Sequence, residues 1–309
     1  MREEHIALIT IDRPEARNSA DMEHFKLLRG AWERFRDDGD AYVAVVTGVG
    51  DAFFVGADLK TYIPEITRLA KEIGDKGLTE VNGYRLDDGS KAVLRDFPLD
   101  KPVIAAVNGF CAAGGMEMLG GSDLRVACTE AKFAVMEPKR GLFAGGGTTV
   151  RLPRQIPWPL AMEFLLCADL IPAERAYEMG LLNAVVPREE LLETAMAFAR
   201  RIAVNAPLAV QATKASALAG LYVDEDLVHS TRSALRHVVD ALAIAVDALP
   251  ADAAADARRA LSDAEVAIKA LRSAFQQESA HSSVVFRSED AKEGPKAFAE
   301  KRTPVWKGR

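Results

Sequence analysis

Two glutamates are the residues of this chain whose type and placement could carry acid/base chemistry. Glu117 lies in GGMEMLGG, two residues past Gly115, with apolar neighbours on both sides. A carboxylate there is costly unless it is protonated, paired or used. Glu137 follows a strand-like run over 132–135 and precedes Pro138, which places it at a strand end, pointing out of the sheet. Two carboxyls meeting over one pocket would raise at least one pKa, leaving one acid protonated and one base ionised near neutrality. Such a pair can hold one water. Each glutamate also has a plainer reading: Glu117 as a first-turn acid meeting a helix dipole, Glu137 as a solvated acid in the charged run EPKR.

Backbone donors form the second set. Small-residue turns follow strand-like runs at 54–60 (FVGADLK), 108–117 (NGFCAAGGME) and 144–149 (AGGGTT). In the second, the glycines immediately precede a helical stretch, so unpaired amides coincide with the positive end of the helix dipole and can receive an anion. The same small residues would also permit close helix–strand packing.

Other chemistries lack their residues. The sequence has no GxSxG elbow, no GxxxxGK[ST] phosphate loop and no HExxH, and its five histidines are scattered, which disfavours a His-dependent site. Gly48-Val49-Gly50 lacks the third glycine and the helix start of a dinucleotide fingerprint and reads as a turn. Cys111, Cys128 and Cys167 are an odd set without CxxC spacing, which predicts reduced, packed thiols and no metal cluster.

The elements must bring the two glutamates together. They are 20 residues apart, about 30 Å along a continuous helix, so the chain has to turn back between them. A stop at Gly120-Gly121, a strand over 124–128 and a short one over 132–135 provide that reversal. Upstream, a strand over 5–11, an amphipathic helix over 21–37 and buried strands over 41–48 and 103–107 give an α/β rhythm. From about residue 172 the pattern is mostly helical, with segments at 189–203, 208–218 and 251–277 and a break at Pro250. The expectation is an α/β domain over 1–200 and a helical subdomain over 201–309. Residues 61–97 read as a glycine-interrupted surface excursion that could act as a lid, and 238–268 as a helical extension.

Composition sets the outer bounds. With 309 residues, 49% hydrophobic and 27% charged, the chain is globular and not disordered. Its net charge of −6 repels nucleic acid and anionic lipid, so an anionic ligand needs a local cationic cluster. The longest small-and-apolar stretch, 102–121, contains Asn108, Glu117 and several glycines and reads poorly as a membrane span. The first residues carry no leader-like pattern, which points to the cytoplasm.

Six motifs in order carry a family resemblance across nearly the whole chain: ITIDRPEARNS, FFVGADLK, AAVNGFCAAGGMEML, FAVMEPKRGLFAGGGTTVRLPR, AYEMGLLNAVVP and SEDAKEGPKAFAEKRTPVW. Together they resemble the enoyl-CoA hydratase/isomerase (crotonase) superfamily. The resemblance implies an α/β fold, a crotonase-type spiral of repeated ββα turns with a C-terminal helical subdomain that packs across neighbours in a homotrimer or hexamer. It implies an oxyanion hole from the N–H groups of Ala57 and Gly114, with Glu117 as base and Glu137 as acid. Arg17, Val55, Ala57, Asp58, Leu59 and Lys60 match positions that contact coenzyme A, which enters as part of the thioester substrate; no tightly bound cofactor and no metal are implied.

The implied reaction is hydration of a 2-enoyl-CoA to a 3-hydroxyacyl-CoA. The alternatives are another crotonase reaction such as double-bond isomerisation, or acyl-CoA binding without turnover. Three departures from the family pattern, Val55, Ala113 and Met116, add bulk expected to tilt the CoA or narrow the acyl tunnel.

Overall fold

Short runs of Val, Ile, Ala and Phe, buried on both faces, make the strands of this protein, and a computed structural model describes residues 2–3, 5–222, 225–246, 251–270, 280 and 283–308. The chain divides into two compact units, Met1–Pro207 and Leu208–Arg309.

In the first unit, β1 (Arg2–Glu3), β2 (Ile6–Ile11), β3 (Val43–Gly48), β5 (Val103–Val107), β7 (Leu124–Cys128) and β10 (Ala184–Val186) form one sheet in that order. A second sheet runs β4 (Ala52–Phe54), β6 (Phe110–Ala112), β8 (Lys132–Ala134) and β9 (Ile171–Pro172). All pairings are parallel except β1 with β2 and β8 with β9. The consecutive pairs β3/β4, β5/β6 and β7/β8 each send one strand to each sheet, in the same order. That is the expected spiral of ββα turns. It stacks the three strand ends β4, β6 and β8 side by side, and with them the residues that follow each strand: the turn at 55–60, the start of α4 at 113–117, and Glu137.

Helices close the turns. In α1 (Met22–Asp37), Asp21 accepts the His24 N–H at 3.0 Å as the N-cap, and Phe25, Leu28, Trp32 and Phe35 form the buried stripe. The Trp32 indole N–H donates to the Ala92 carbonyl at 2.9 Å, tying α1 to the chain that enters β5. Then follow α2 (Tyr62–Lys76), α3 (Asp88–Ala92), α4 (Gly114–Gly121) and α5 (Thr148–Gln155).

The structure refines several expectations and corrects one, the packing of Cys167. Residues 61–91 lie largely at the surface, as expected, docked by Leu69 and Ile73 packing with Met22 and by a buried ion pair of Asp88 with Arg29 at 2.6 Å, whereas Ala92–Leu94 enter the main core. Gly74 sits in the open inside α2, and Gly77, at φ 61, ends it. The region past residue 172 contributes a strand, β10, whose three residues were too few to show a period against their helical surroundings. The expected stop at Gly120-Gly121 holds: α4 ends at Gly121, with Ser122 as its C-cap. Cys111 and Cys128 are buried, but Cys167 is exposed.

The second unit is helical, with most of Pro207–Tyr222, then Glu225–Val246, Ala251–Ala270 and Asp290–Glu300. Of the sequence-based expectations, Pro250, residues 247–249 of the 238–268 extension and residues 271–277 lie outside the described residues. No helix among the described residues is long and apolar enough to cross a membrane.

Candidate active site

The turn after β4 and the start of α4 touch backbone to backbone, and this contact builds the site. A Cβ on Gly56 (φ 85) would fall 2.7 Å from the Gly114 nitrogen, and one on Gly114 would fall 2.8 Å from the Gly56 Cα. Only two residues without side chains can approach so closely. Ala57 is held by a parallel bridge to Ala20, in which the Ala20 N–H donates to the Gly56 carbonyl and the Asp58 N–H to the Ala20 carbonyl, each at 2.8 Å. Peptide groups alternate along a bridged strand, so the N–H of Ala57 itself faces away from Ala20.

Gly114 opens α4, where an N–H has no partner within the helix. Neither of these two N–H groups has a hydrogen-bond partner among the described residues, and both residues line one cavity of about 630 Å³. Ala113, just before, adopts φ 50 and ψ −116, a conformation that favours glycine. Its N–H donates to the Ala134 carbonyl and its carbonyl accepts the Glu117 N–H, each at 3.1 Å, so the strained residue is pinned between β8 and α4.

Both glutamates reach this cavity. Glu117, in the first turn of α4, accepts a hydrogen bond from the Gly146 N–H. Burial pushes its carboxyl above the usual range, while the Gly146 N–H, Arg151 and Arg95 pull in the opposite direction. Glu137, at the exit of β8, is 8% exposed, and its Oε2 has no hydrogen-bond partner among the described residues. Burial, with the Glu117 charge adding to it, raises its carboxyl to about 7. The solvated-acid reading of Glu137 is thereby overturned. The two environments differ: one carboxyl has a hydrogen-bond donor and two nearby cations, while the other is buried with one oxygen unpartnered among the described residues.

The remaining positions expected at the site divide. Arg17 lines the cavity at a left-handed φ of 52, with its guanidinium 5.8 Å from the Phe110 ring centre. Val55 and the exposed Leu59 line it too. Asp58 and Lys60 do not. The Asp58 carboxylate instead faces Arg13 Nη1 at 3.1 Å and accepts the Lys60 N–H at 3.1 Å, which braces the turn carrying Ala57. Met116 packs into the core against Cys111, so this departure does not narrow the cavity.

Sequence reasoning missed the walls supplied by Tyr62, Ile63, Gly89 and Ser90, and by Leu142 and Phe143. The helical spacing of Tyr62, Ile66, Leu69 and Ile73 was the available signal for the first of them.

Comparison with known proteins agrees with this geometry. Residues 1–224 match the family model described as enoyl-CoA hydratase/isomerase. Over 308 residues the chain is 35% identical to the enoyl-CoA hydratase EchA19 of Mycobacterium tuberculosis, covering 100% of this chain and 95% of that protein. Over 217 residues it is 41% identical to the (E)-benzylidenesuccinyl-CoA hydratase of Thauera aromatica, covering 70% of this chain and 80% of the relative. The crystal structure of an enoyl-CoA hydratase from Bacillus anthracis superposes with a TM-score of 0.73 at 27% identity, covering 99% of this chain and 96% of that one. The stacked ββα spiral, the ordered motifs and these matches together establish that the chain belongs to the enoyl-CoA hydratase/isomerase (crotonase) family.

Proposed function

We propose that this enzyme adds water across the double bond of a 2-enoyl-CoA to give a 3-hydroxyacyl-CoA. The observation that carries the reading is the convergence on one cavity of two unlike carboxyls and two unpartnered backbone N–H groups. The thioester oxygen sits against the N–H groups of Ala57 and Gly114. A water between the glutamates loses a proton to Glu117 while its oxygen bonds to Cβ. The π electrons move onto the thioester oxygen, where the two N–H groups stabilise the enolate. Each such donor supplies about 3 kcal/mol in the transition state. The enolate collapses as Glu137 delivers a proton to Cα, so the elements of one water are added and the base and acid exchange protonation states.

Coenzyme A is here the handle of the substrate and not a resident cofactor. Arg17 and Arg140, both lining the cavity, supply the local positive charge that a net-acidic chain needs to receive it. In line with the family resemblance, we further propose a homotrimer or a dimer of trimers.

Loss of conjugated-thioester absorbance with crotonyl-CoA measures the reaction, and chromatography of the product separates hydration from isomerisation. Glu117→Gln and Glu137→Gln are each expected to lower kcat by about 10²–10⁴-fold. Wild-type turnover in either variant, or binding of the thioester with no turnover by the unaltered enzyme, overturns the reading.

A further inference from the structure

We propose that Arg95 is a positioning residue that aims and polarises the Gly146 N–H onto Glu117 through the single peptide group joining Gly145 to Gly146. This rests on the reading of Glu117 as the base. Arg95 Nη1 donates to the Gly145 carbonyl, and the Gly146 N–H donates to Glu117 Oε1. That carbonyl and that N–H belong to one planar trans peptide, so the two bonds leave its opposite edges. A cation at the oxygen and a carboxylate at the hydrogen strengthen each other along such a chain.

The peptide has few other restraints. It lies in the run Gly145-Gly146-Gly147, where no side chain anchors the backbone, and Gly147 sits at φ 115. It is also pressed against the acid: a Cβ on Gly146 would fall 2.1 Å from Glu117 Oε2. Direct contact of this kind makes the orientation of the peptide decisive for the carboxylate.

Arg95 is itself held in place at a backbone cost. Its neighbours Leu94 (φ 61) and Asp96 (φ 51) both adopt the left-handed conformation, although Leu94 is a buried leucine. Arg151 secures the strained segment, with Nη2 donating to the Leu94 carbonyl and Nη1 lying 3.4 Å from the Val93 carbonyl and 3.3 Å from that of Glu117. One guanidinium thus ties the backbone of Glu117 to the backbone that presents Arg95. The charged groups acting on the Glu117 carboxyl are Arg95 and Arg151, which favour its ionised form, and Glu137, which opposes it. Arg95 also lies 3.3 Å from the exposed Asp96 carboxylate and is half-exposed, so its substitution leaves the core intact.

The test uses the full chain as wild type, Arg95→Met, Arg95→Lys and Glu117→Gln. Two readouts are taken across pH: kcat and KM for crotonyl-CoA, and the carboxyl resonance of Glu117 in ¹³C-glutamate-labelled protein, identified by its loss in Glu117→Gln. For Arg95→Met we expect kcat on the acidic limb to fall by up to about tenfold, with KM within about twofold. The acidic limb and the Glu117 resonance should both move upward by about one pH unit, with most of the change reversed in Arg95→Lys. A Glu117 resonance that titrates as in wild type overturns the inference, whether kcat is unchanged or falls equally at every pH. Full hydration by Glu117→Gln removes the functional reading instead, and the resonance still reports whether Arg95 acts on Glu117.

Discussion

At Glu137, burial holds the carboxyl near 7 against an ordinary value of 4.5, and the consequences for rate and for stability have opposite uses of the same proton. As the proposed proton donor it must be protonated, so kcat/KM for hydration should decline as pH rises through about 7. For stability, the folded protein binds this proton more tightly than the unfolded chain does. Its contribution is therefore complete below about 4.5 and is lost as pH climbs through about 7. Glu137→Gln, which cannot ionise, should be more stable than wild type by about 3 kcal/mol at about pH 8 and indistinguishable from it at about pH 4. Urea denaturation at the two pH values checks this. Equal stability of the two proteins at both values would mean that the carboxyl is not desolvated as described.

At the scale of the element, the site depends on how closely α4 approaches β4. A Cβ on Gly115 would lie 2.0 Å from the Phe54 carbonyl oxygen, inside any allowed contact, so adding one methyl must push the helix off the sheet. Gly115→Ala should destabilise the protein by about 3 kcal/mol. The control is Gly74→Ala in α2, where a Cβ meets nothing within 4 Å; removing backbone freedom from the unfolded chain there should stabilise by about 0.5–1 kcal/mol. Chemical denaturation measures both, and shifts of the same sign would contradict the packing account. The contrast also separates two roles of glycine that look identical in sequence: one permits a contact, the other is a tolerated helix residue.

At the scale of the whole molecule, the spiral is what converts three modest turns into one site. Strands β4, β6 and β8 stand in order in one sheet, so the peptides that follow them converge, although they come from residues 56–57, 114–117 and 137. The second unit leaves Leu242, Ile244, Val284 and Phe286 exposed. With the proposed trimer or dimer of trimers, light scattering should give three or six times the 33.4 kDa of one chain. A single-chain mass at micromolar concentration would rule the assembly out.

Much of this was legible in the sequence because it is local. Alternation and burial patterns marked β2, β3, β5 and β7, and the apolar spacing of Phe25, Leu28, Trp32 and Phe35 marked α1. The setting GGMEMLGG singled out Glu117 because an acid in apolar company needs a reason. Tertiary structure decided the rest. Glu137 reads as a solvated acid until β8 buries it, and only the fold shows the Asp58 carboxylate paired with Arg13. The role of residues 61–97 as cavity wall, and the peptide that links Arg95 to Glu117, depend on partners 29 to 50 positions distant. Periodicity registers which face of an element is apolar; it carries no information on which distant backbone that face will meet, and desolvation and charge pairing are set only by that meeting.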